Sequence, residues 1–216
     1  MPDHPQQNAC WSCKGPAGEG LFCAACQALQ PPNLQQNYFQ MLDHPPTFKV
    51  DRTRLETSYQ ALQQQLHPDR FATRTARERR FSMEHVTRLN EGYATLREPL
   101  ARAGYLLQLH GRASGDEASG AAPTDPMFLM ETMELREALE AIDPAQPDAD
   151  EKIDAMRQDM ERRVEEEEQG MANAFEAHNN TQETTHLEKV AQHMDRLRYH
   201  NRFLEEVERL EEKLFV

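Results

Sequence analysis

The sequence lacks any long apolar segment and is poor in the residues that favour sheets and tight loops. Its 216 residues are 38% hydrophobic with a mean hydropathy of −0.85, and no stretch approaches the roughly 18 to 20 apolar residues of a membrane-spanning helix. There are only nine glycines and one tryptophan, whereas residues of high helix propensity, such as Leu, Glu, Gln, Arg, Ala and Met, are abundant. The composition therefore predicts an all-α protein of one or two small domains that does not cross a membrane.

Residue sets typical of a catalytic site are also missing from the sequence. There is no glycine-rich phosphate loop, no pair of carboxylates that would indicate acid–base catalysis and no combination of Ser, His and Asp that would indicate a nucleophile. His186, His193 and His200 recur every seven residues, but neighbouring side chains would lie about 10.5 Å apart along a helix, which is too far for one metal ion. We therefore expect a binding protein rather than an enzyme.

The charge is strongly negative overall but unevenly distributed. The net charge is −13, yet residues 34–108 carry eleven Lys or Arg against eight Asp or Glu, whereas residues 109–216 carry twelve against twenty-seven. Such an acidic protein is not expected to bind nucleic acid. A basic middle followed by an acidic end predicts two surfaces with different partners.

The first eight residues contain neither a basic start nor an apolar core. No secretory signal and no Arg-rich transit peptide is indicated. We therefore expect the protein in the bacterial cytoplasm, with the mitochondrial matrix as the less favoured alternative. Thiols stay reduced in the cytoplasm, and this bears on how the cysteines are interpreted.

All four cysteines lie within the first 26 residues as two Cys-x2-Cys pairs, Cys10 with Cys13 and Cys23 with Cys26. Four thiolates directed at one point, at ~2.3 Å from it, suit structural zinc and leave no open position for catalysis. The alternatives are two disulfides, a redox Cys-x2-Cys or a set of iron–sulfur ligands, of which disulfides are disfavoured in the cytoplasm. Because residues 1–33 are too few to bury a core, a metal ion would supply their folding free energy.

Two amphipathic helices are predicted after this segment. Asp51 is a suitable N-cap, and apolar residues at positions 55, 59, 62 and 66 form one stripe of a helix that Pro68 ends. A second helix is expected from about Arg74 to Leu96 and would pair with the first as an antiparallel hairpin. On these signals alone, the His-Pro-Asp-Arg segment between them is a turn that ends a helix.

This His-Pro-Asp tripeptide has Tyr38-Phe39 upstream and an Asn-x2-Tyr-x2-Leu pattern at residues 90–96. The combination resembles the J-domain, the module by which co-chaperones activate DnaK-type ATPases. The resemblance implies that the aspartate accepts a charge-assisted hydrogen bond from a cation of the chaperone, while its neighbours shape the contact. The implied chaperone-binding residues are His67, Pro68, Asp69 and Arg70.

Further patterns at residues 96–111, 128–137, 197–199 and 210–214 resemble HscB, the J-type co-chaperone of iron–sulfur cluster assembly. The tetracysteine segment is similar to that of mitochondrial and some bacterial members. The resemblance implies an L-shaped all-α protein, in which a J-domain helical hairpin packs against a C-terminal three-helix bundle and follows a small zinc-knuckle module. Zn²⁺ would be its only cofactor, without an organic one.

Members of this family bind the cluster scaffold protein IscU, deliver it to the DnaK-type chaperone HscA and stimulate the chaperone ATPase, which promotes cluster transfer. The first bundle helix has more apolar positions than one core face needs, and the resemblance assigns the scaffold-binding surface there together with a tyrosine of the last helix. That surface comprises Leu129, Met130, Met133, Glu134, Arg136, Glu137 and Tyr199.

Two other functions and a homodimer stay open at this level. One alternative to an HscB-type co-chaperone is a general J-domain co-chaperone for unfolded clients. The other is a redox protein that binds zinc or an iron–sulfur cluster on a helical scaffold. The expected domains are a tetracysteine module with linker at 1–33, a J-domain at 34–112, a flexible linker at 113–125 and the bundle at 126–216. The bundle helices are expected at 126–142, 148–178 and 183–214.

Overall fold

The computed structural model describes residues 9–112, 125–143 and 146–212. Within these ranges the regular structure is helical, apart from two isolated antiparallel bridges, and the predicted all-α class is confirmed. None of the described helices is long and apolar enough to cross a membrane. The α-helices are α1 (Tyr38–Met41), α2 (Arg52–Leu66), α3 (Ala76–Arg97), α4 (Pro99–Leu109), α5 (Pro126–Glu140), α6 (Ala149–Thr181) and α7 (Thr184–Glu212), and a 3₁₀ turn spans Pro68–Phe71.

The chain forms two compact units. The first comprises the described residues of Met1–Pro46 and of Val50–Glu98, and the second comprises Thr47–Lys49 and the described residues of Pro99–Val216. By contacts, α4 therefore belongs to the second unit, although the predicted J-domain extends to residue 112. The functional division at residues 33, 112 and 125 stays a prediction, and of the expected linker only Asp125 lies within the described residues.

In the first unit, α2 and α3 pack as the antiparallel pair that the sequence predicts. Asp51 caps α2 by accepting a hydrogen bond from the backbone N–H of Arg54 at 3.0 Å. α3 begins two residues later than expected because Thr75 and Glu78 form a capping box at its start. The buried leucines and phenylalanine between the two helices are Leu55, Leu66, Phe81, Leu89 and Leu96.

The close packing of α1 against α3 depends on Gly92. A Cβ added at Gly92 would lie 2.7 Å from the Met41 side chain and 2.9 Å from the Tyr38 ring. The absence of a side chain there lets α1 lie directly on α3 and bury Phe39 completely. α1 thereby packs against the C-terminal half of α3.

In the second unit, α6 and α7 form a long antiparallel pair on which α5 lies. α6 continues to Thr181 and ends at Gln182, whose φ of 59° is left-handed, so the turn lies beyond the predicted one at residues 178–181. Pro144, which was expected to help break the preceding helix, lies outside the described residues. The core of this pair consists of Ile142, Ala149, Ile153, Met160, Phe203 and Val207, against which Leu135 and Leu139 of α5 pack.

Met160 and Met127 offer the same substitution at a buried and an exposed position. Met160 is 0% exposed and Met127 is 75% exposed. We expect Met160→Ala to lower the free energy of unfolding by about 2–5 kcal/mol because it leaves a cavity in the bundle core. Met127→Ala should change it by less than about 0.5 kcal/mol. Denaturant unfolding followed by circular dichroism checks both, and equal stabilities of the two variants would contradict the assigned core.

Candidate functional site

The four cysteine side chains converge on one point in the first unit. All four Sγ atoms lie within 4.8 Å of one another, with Cys10 and Cys26 at 3.6 Å and Cys13 and Cys23 at 3.8 Å. All four are free thiols, two of them buried and two exposed. The cluster could hold one metal ion, as the spacing predicts.

Two backbone turns of the same design present these sulfurs. The N–H of Cys10 donates to the carbonyl of Gly15 at 2.7 Å, and the N–H of Cys23 donates to the carbonyl of Ala28 at 3.0 Å. Lys14 and Gln27 occupy equivalent positions in the two turns and have φ values of 64° and 59°. Each Cys-x2-Cys pair is thus folded into a knuckle that directs two sulfurs to the same side.

The electrostatics of the cluster favour a cation. Burial acts to raise the pKa of the Cys10 thiol, but the backbone N–H groups of Cys13 and Ser12 lower it to about 6. The Gly15 backbone acts to lower the pKa of Cys13, but the neighbouring sulfurs raise it to about 11. Cys13 therefore keeps its proton at neutral pH, and a divalent cation bound by the sulfurs would displace it.

The knuckles are packed on α3 and on the 3₁₀ turn. The indole N–H of Trp11 donates to the carbonyl of Leu29 at 2.7 Å, and the indole ring meets Phe81 edge-on at 6.0 Å. The ring of Phe22 stacks on that of Phe71 with centroids 6.5 Å apart. Sequence reasoning did not find these contacts, because the paired rings are far apart along the chain.

A buried hydrogen bond fixes the end of this segment to α3. His85 Nε2 lies 2.9 Å from the backbone carbonyl of Gln30. Burial lowers the pKa of His85, so the ring is neutral and Nε2–H donates to the carbonyl. The side chain of Gln30 in turn donates to Cys10 Sγ at 3.4 Å, which links the cysteine cluster to α3.

The His-Pro-Asp segment forms an exposed turn between α2 and α3. Pro68 begins the 3₁₀ turn and holds His67 out of the helical region, with φ −54° and ψ 131°. The N–H of Asp69 donates to His67 Nδ1 at 3.3 Å, and the guanidinium of Arg70 donates to the carbonyl of Gln64 at 3.1 Å. The side chain of Asp69 is 91% exposed and is available to a partner, whereas Phe71 is buried beneath the turn.

One face of α5 packs in the bundle and the other is open. Phe128 and Thr132 are buried, and Leu135 and Leu139 lie partly buried on the same side. On the open side, Leu129, Met130 and Met133 are 42%, 59% and 56% exposed. We name the exposed set the α5 surface, which consists of Leu129, Met130, Met133, Glu134, Arg136 and Glu137.

Tyr199 of α7 lies beside this surface but is half-buried. Its hydroxyl donates to the carbonyl of Thr132 at 2.9 Å, and its ring packs edge-on against Phe128 at 5.5 Å. Arg196 also holds the start of α5, because it pairs with Asp125 at 2.6 Å and lies over the Phe128 ring. Tyr199 and Arg196 therefore fix α5 to α7, a role that the sequence did not reveal.

The family comparison matches the second unit. Residues 124–208 fit a family model described as the HSCB C-terminal oligomerisation domain. Over 134 residues, the chain is 42% identical to the iron-sulfur cluster co-chaperone protein HscB of Homo sapiens, which covers 60% of this chain and 56% of that protein. Over 108 residues, it is 46% identical to the co-chaperone protein HscB homolog of Azoarcus sp., covering 50% of this chain and 60% of that protein. These matches span little more than half the length of the curated relatives.

Solved structures are similar over a larger part of the chain. The crystal structure of human co-chaperone protein HscB has a TM-score of 0.79 and 32% identity, and the similarity covers 93% of this chain and 97% of that chain. The chaperone HscB from Vibrio cholerae has a TM-score of 0.68 and 31% identity over 82% of this chain and 99% of that chain. The Jac1 co-chaperone from Saccharomyces cerevisiae, at 19% identity and a TM-score of 0.58, shares the fold.

Metal binding by the cysteine cluster has a direct optical test. We expect one Co²⁺ ion per chain, with thiolate-to-metal absorption, and a change in the fluorescence of Trp11, the single tryptophan. Affinity should fall as the pH is lowered because protons compete for the thiolates. Cys23→Ser should weaken binding strongly, whereas Ser12→Ala, which removes no sulfur ligand, should not. Unchanged Co²⁺ absorption in Cys23→Ser would contradict a four-sulfur site.

Proposed function

Because the chain belongs to the HscB family of co-chaperones, we propose that it binds an IscU-type scaffold protein and delivers it to an HscA- or DnaK-type chaperone. It stimulates the ATPase of that chaperone and so promotes transfer of the iron–sulfur cluster. The chain is not itself an enzyme. The observation that carries this proposal is the exposed His-Pro-Asp turn held between two paired helices in a chain of this family.

In the proposed function, Asp69 is the main residue that contacts the chaperone. Its carboxylate is almost fully exposed, and the turn that begins at Pro68 holds its backbone. A charge-assisted hydrogen bond from a chaperone cation to this carboxylate is stronger than a neutral one and depends on direction. His67 is held by the N–H of Asp69, and Arg70 is tied to the end of α2, so both side chains present a defined edge to the partner.

In the proposed function, the α5 surface binds the scaffold protein. Three adjacent apolar side chains stand in solvent, with Glu134, Arg136 and Glu137 around them. An apolar patch with a charged rim is typical of a protein interface, and the flexible thioethers of Met130 and Met133 adapt to a partner's shape. Tyr199 supports the surface from below by holding α5 on α7.

A structural zinc ion fits the cysteine cluster. Four thiolates from two knuckles make a closed site, so the ion would hold the fold together and would not bind substrate. Structural zinc contributes about 10–16 kcal/mol to the folding of comparable peptides. The proposed location is the bacterial cytoplasm, where thiols stay reduced and able to bind a metal ion. A homodimer formed through residues 124–208 also belongs to this proposal, because the matching family model is described as an oligomerisation domain.

Two alternatives make different predictions for the same sample. An iron–sulfur or redox protein would use the four close sulfurs and would show visible charge-transfer absorption as isolated. A general J-domain co-chaperone would stimulate the ATPase without any further effect of a folded scaffold protein.

The test of the proposed function is single-turnover ATP hydrolysis by the HscA-type chaperone, with and without scaffold. We expect this protein to stimulate hydrolysis, and the scaffold to increase the stimulation synergistically. Asp69→Asn should abolish the effect because it removes the charged acceptor. Asp43→Asn is the matched control, since Asp43 is about equally exposed and forms a surface ion pair with Arg54. Stimulation that survives in Asp69→Asn, or that lacks scaffold synergy, counts against the proposal.

Scaffold binding should depend on the exposed apolar side chains of α5. Replacing Leu129, Met130 and Met133 together by Ala should lower the affinity for the scaffold by about tenfold or more, because apolar anchors dominate such interfaces. The helix content should not change, since none of the three is buried. Calorimetry measures the affinity, with Met83→Ala, an exposed methionine of α3, as the control. An unchanged affinity of the triple variant would remove the α5 surface from the interface.

A further inference from the structure

The cysteine knuckles lie against the turn that carries the chaperone-binding residues. Phe22 stacks on Phe71 with the two ring planes 9° apart and the centroids 6.5 Å apart. Phe71 is the last residue of the 3₁₀ turn that starts at Pro68, and its side chain is 5% exposed. The turn therefore packs, through Phe71, against the ring of Phe22.

The knuckles are fixed to α3 at other points as well. Trp11 meets Phe81 edge-on, and the guanidinium of Arg77 lies 5.1 Å from the centroid of the indole ring. The hydrogen bond between His85 and the Gln30 carbonyl adds a buried polar contact. Because these contacts fix the knuckles to α3, the position of Phe22 is defined relative to the turn.

The position of Phe22 depends on the cysteine cluster. Phe22 directly precedes Cys23 and forms an isolated bridge with Leu29, which encloses the second knuckle. Among the described residues of this segment, Cys10, Ala17 and Cys23 form one small buried cluster, and Ala28 and Leu29 are the other buried apolar residues. So small a core cannot hold two knuckles by hydrophobic burial, and a metal ion bound by the sulfurs would have to hold them.

The other restraints on the turn are local hydrogen bonds, which include those from Asp69 to His67 and from Arg70 to Gln64. The N–H of Arg70 donates to the His67 carbonyl at 3.0 Å, and the N–H of Ala72 donates to the Asp69 carbonyl at 3.3 Å. The side chains of His67, Asp69 and Arg70 are exposed. A turn with a single buried side chain takes its orientation largely from what that side chain packs against.

We propose that the metal-loaded cysteine module positions the His-Pro-Asp turn through the contact of Phe22 with Phe71, so that metal occupancy sets how well the chaperone is engaged. This inference rests on the proposed function. Phe22 is a positioning residue, because it acts through Phe71 and does not touch the chaperone. Loss of the contact loosens the turn, and the chaperone must then order it on binding, which lowers the affinity.

The first experiment separates the contact from the metal. Phe22→Ala should keep Co²⁺ absorption, because it removes no sulfur ligand, but should speed deuterium exchange at the amides of Arg70 and Ala72. The concentration of co-chaperone that gives half-maximal ATPase stimulation should rise about two- to tenfold, which is the range expected for the loss of one aromatic pair. Phe22→Tyr keeps the ring and should restore wild-type behaviour, and Leu34→Ala, at an exposed position, should have no effect.

The second experiment removes the metal with a chelator. In the wild type, chelation should speed exchange at the same amides and raise the half-maximal concentration, while circular dichroism shows that the helices remain. In Phe22→Ala, chelation should raise the exchange rates and the half-maximal concentration by a smaller factor than in the wild type, because the contact between the cysteine module and the turn is already lost. Equal effects of chelation in both proteins would overturn the proposal.

The remaining outcomes also decide the question. A Phe22→Ala variant that keeps its metal, its exchange rates and its half-maximal concentration overturns the inference. If that variant loses its metal, Phe71→Leu tests the same contact from the side remote from the cysteines, with the same expected changes. If the wild-type protein stimulates no ATPase, the proposed function fails, and the exchange rates at Arg70 and Ala72 alone decide whether the module positions the turn.

Discussion

Each of the helices α2, α3, α6 and α7 has one apolar stripe and must bury it against another helix. The sequence is too polar to form a helix that is stable alone, so α2 depends on α3 and α6 depends on α7. Leu55 and Leu66 of α2 and Phe81 and Leu89 of α3 are buried in the first unit, and Met160 and Phe203 belong to one buried cluster in the second. The turn at His67–Arg70 and the position of α5 are both consequences of these two pairings.

α5 differs from the other helices because it carries apolar residues on two faces. One face is satisfied by α6 and α7, through Leu135 and Leu139 and through the hydrogen bond from Tyr199 to Thr132. Leu129, Met130 and Met133 on the other face stay in solvent, as does Met127 at the start of the helix. An apolar patch left in solvent is typical of an interaction surface, and the proposed scaffold contact would cover it.

The cysteine module is the part of the first unit that the helical pairs do not hold together. It has almost no core of its own and consists of two knuckles, a few hydrogen bonds and the aromatic contacts with α3 and the turn. A bound metal ion and these contacts would stabilise the same arrangement. The contact between Phe22 and Phe71 gives such an ion an influence on the turn without any direct contact between them.

The sequence by itself determined the features that depend on neighbours along the chain. Asp51 as an N-cap, Pro68 as the end of α2 and the two Cys-x2-Cys knuckles are local signals, because each acts within about one helical turn. The surplus of apolar residues on α5 could also be counted from the sequence. Only the tertiary structure decided which distant groups meet, because packing of whole elements brings Phe22 onto Phe71 and Tyr199 onto the carbonyl of Thr132. No periodicity in the chain specifies such a pairing, so the support of the turn and the attachment of α5 could not be derived from residue order.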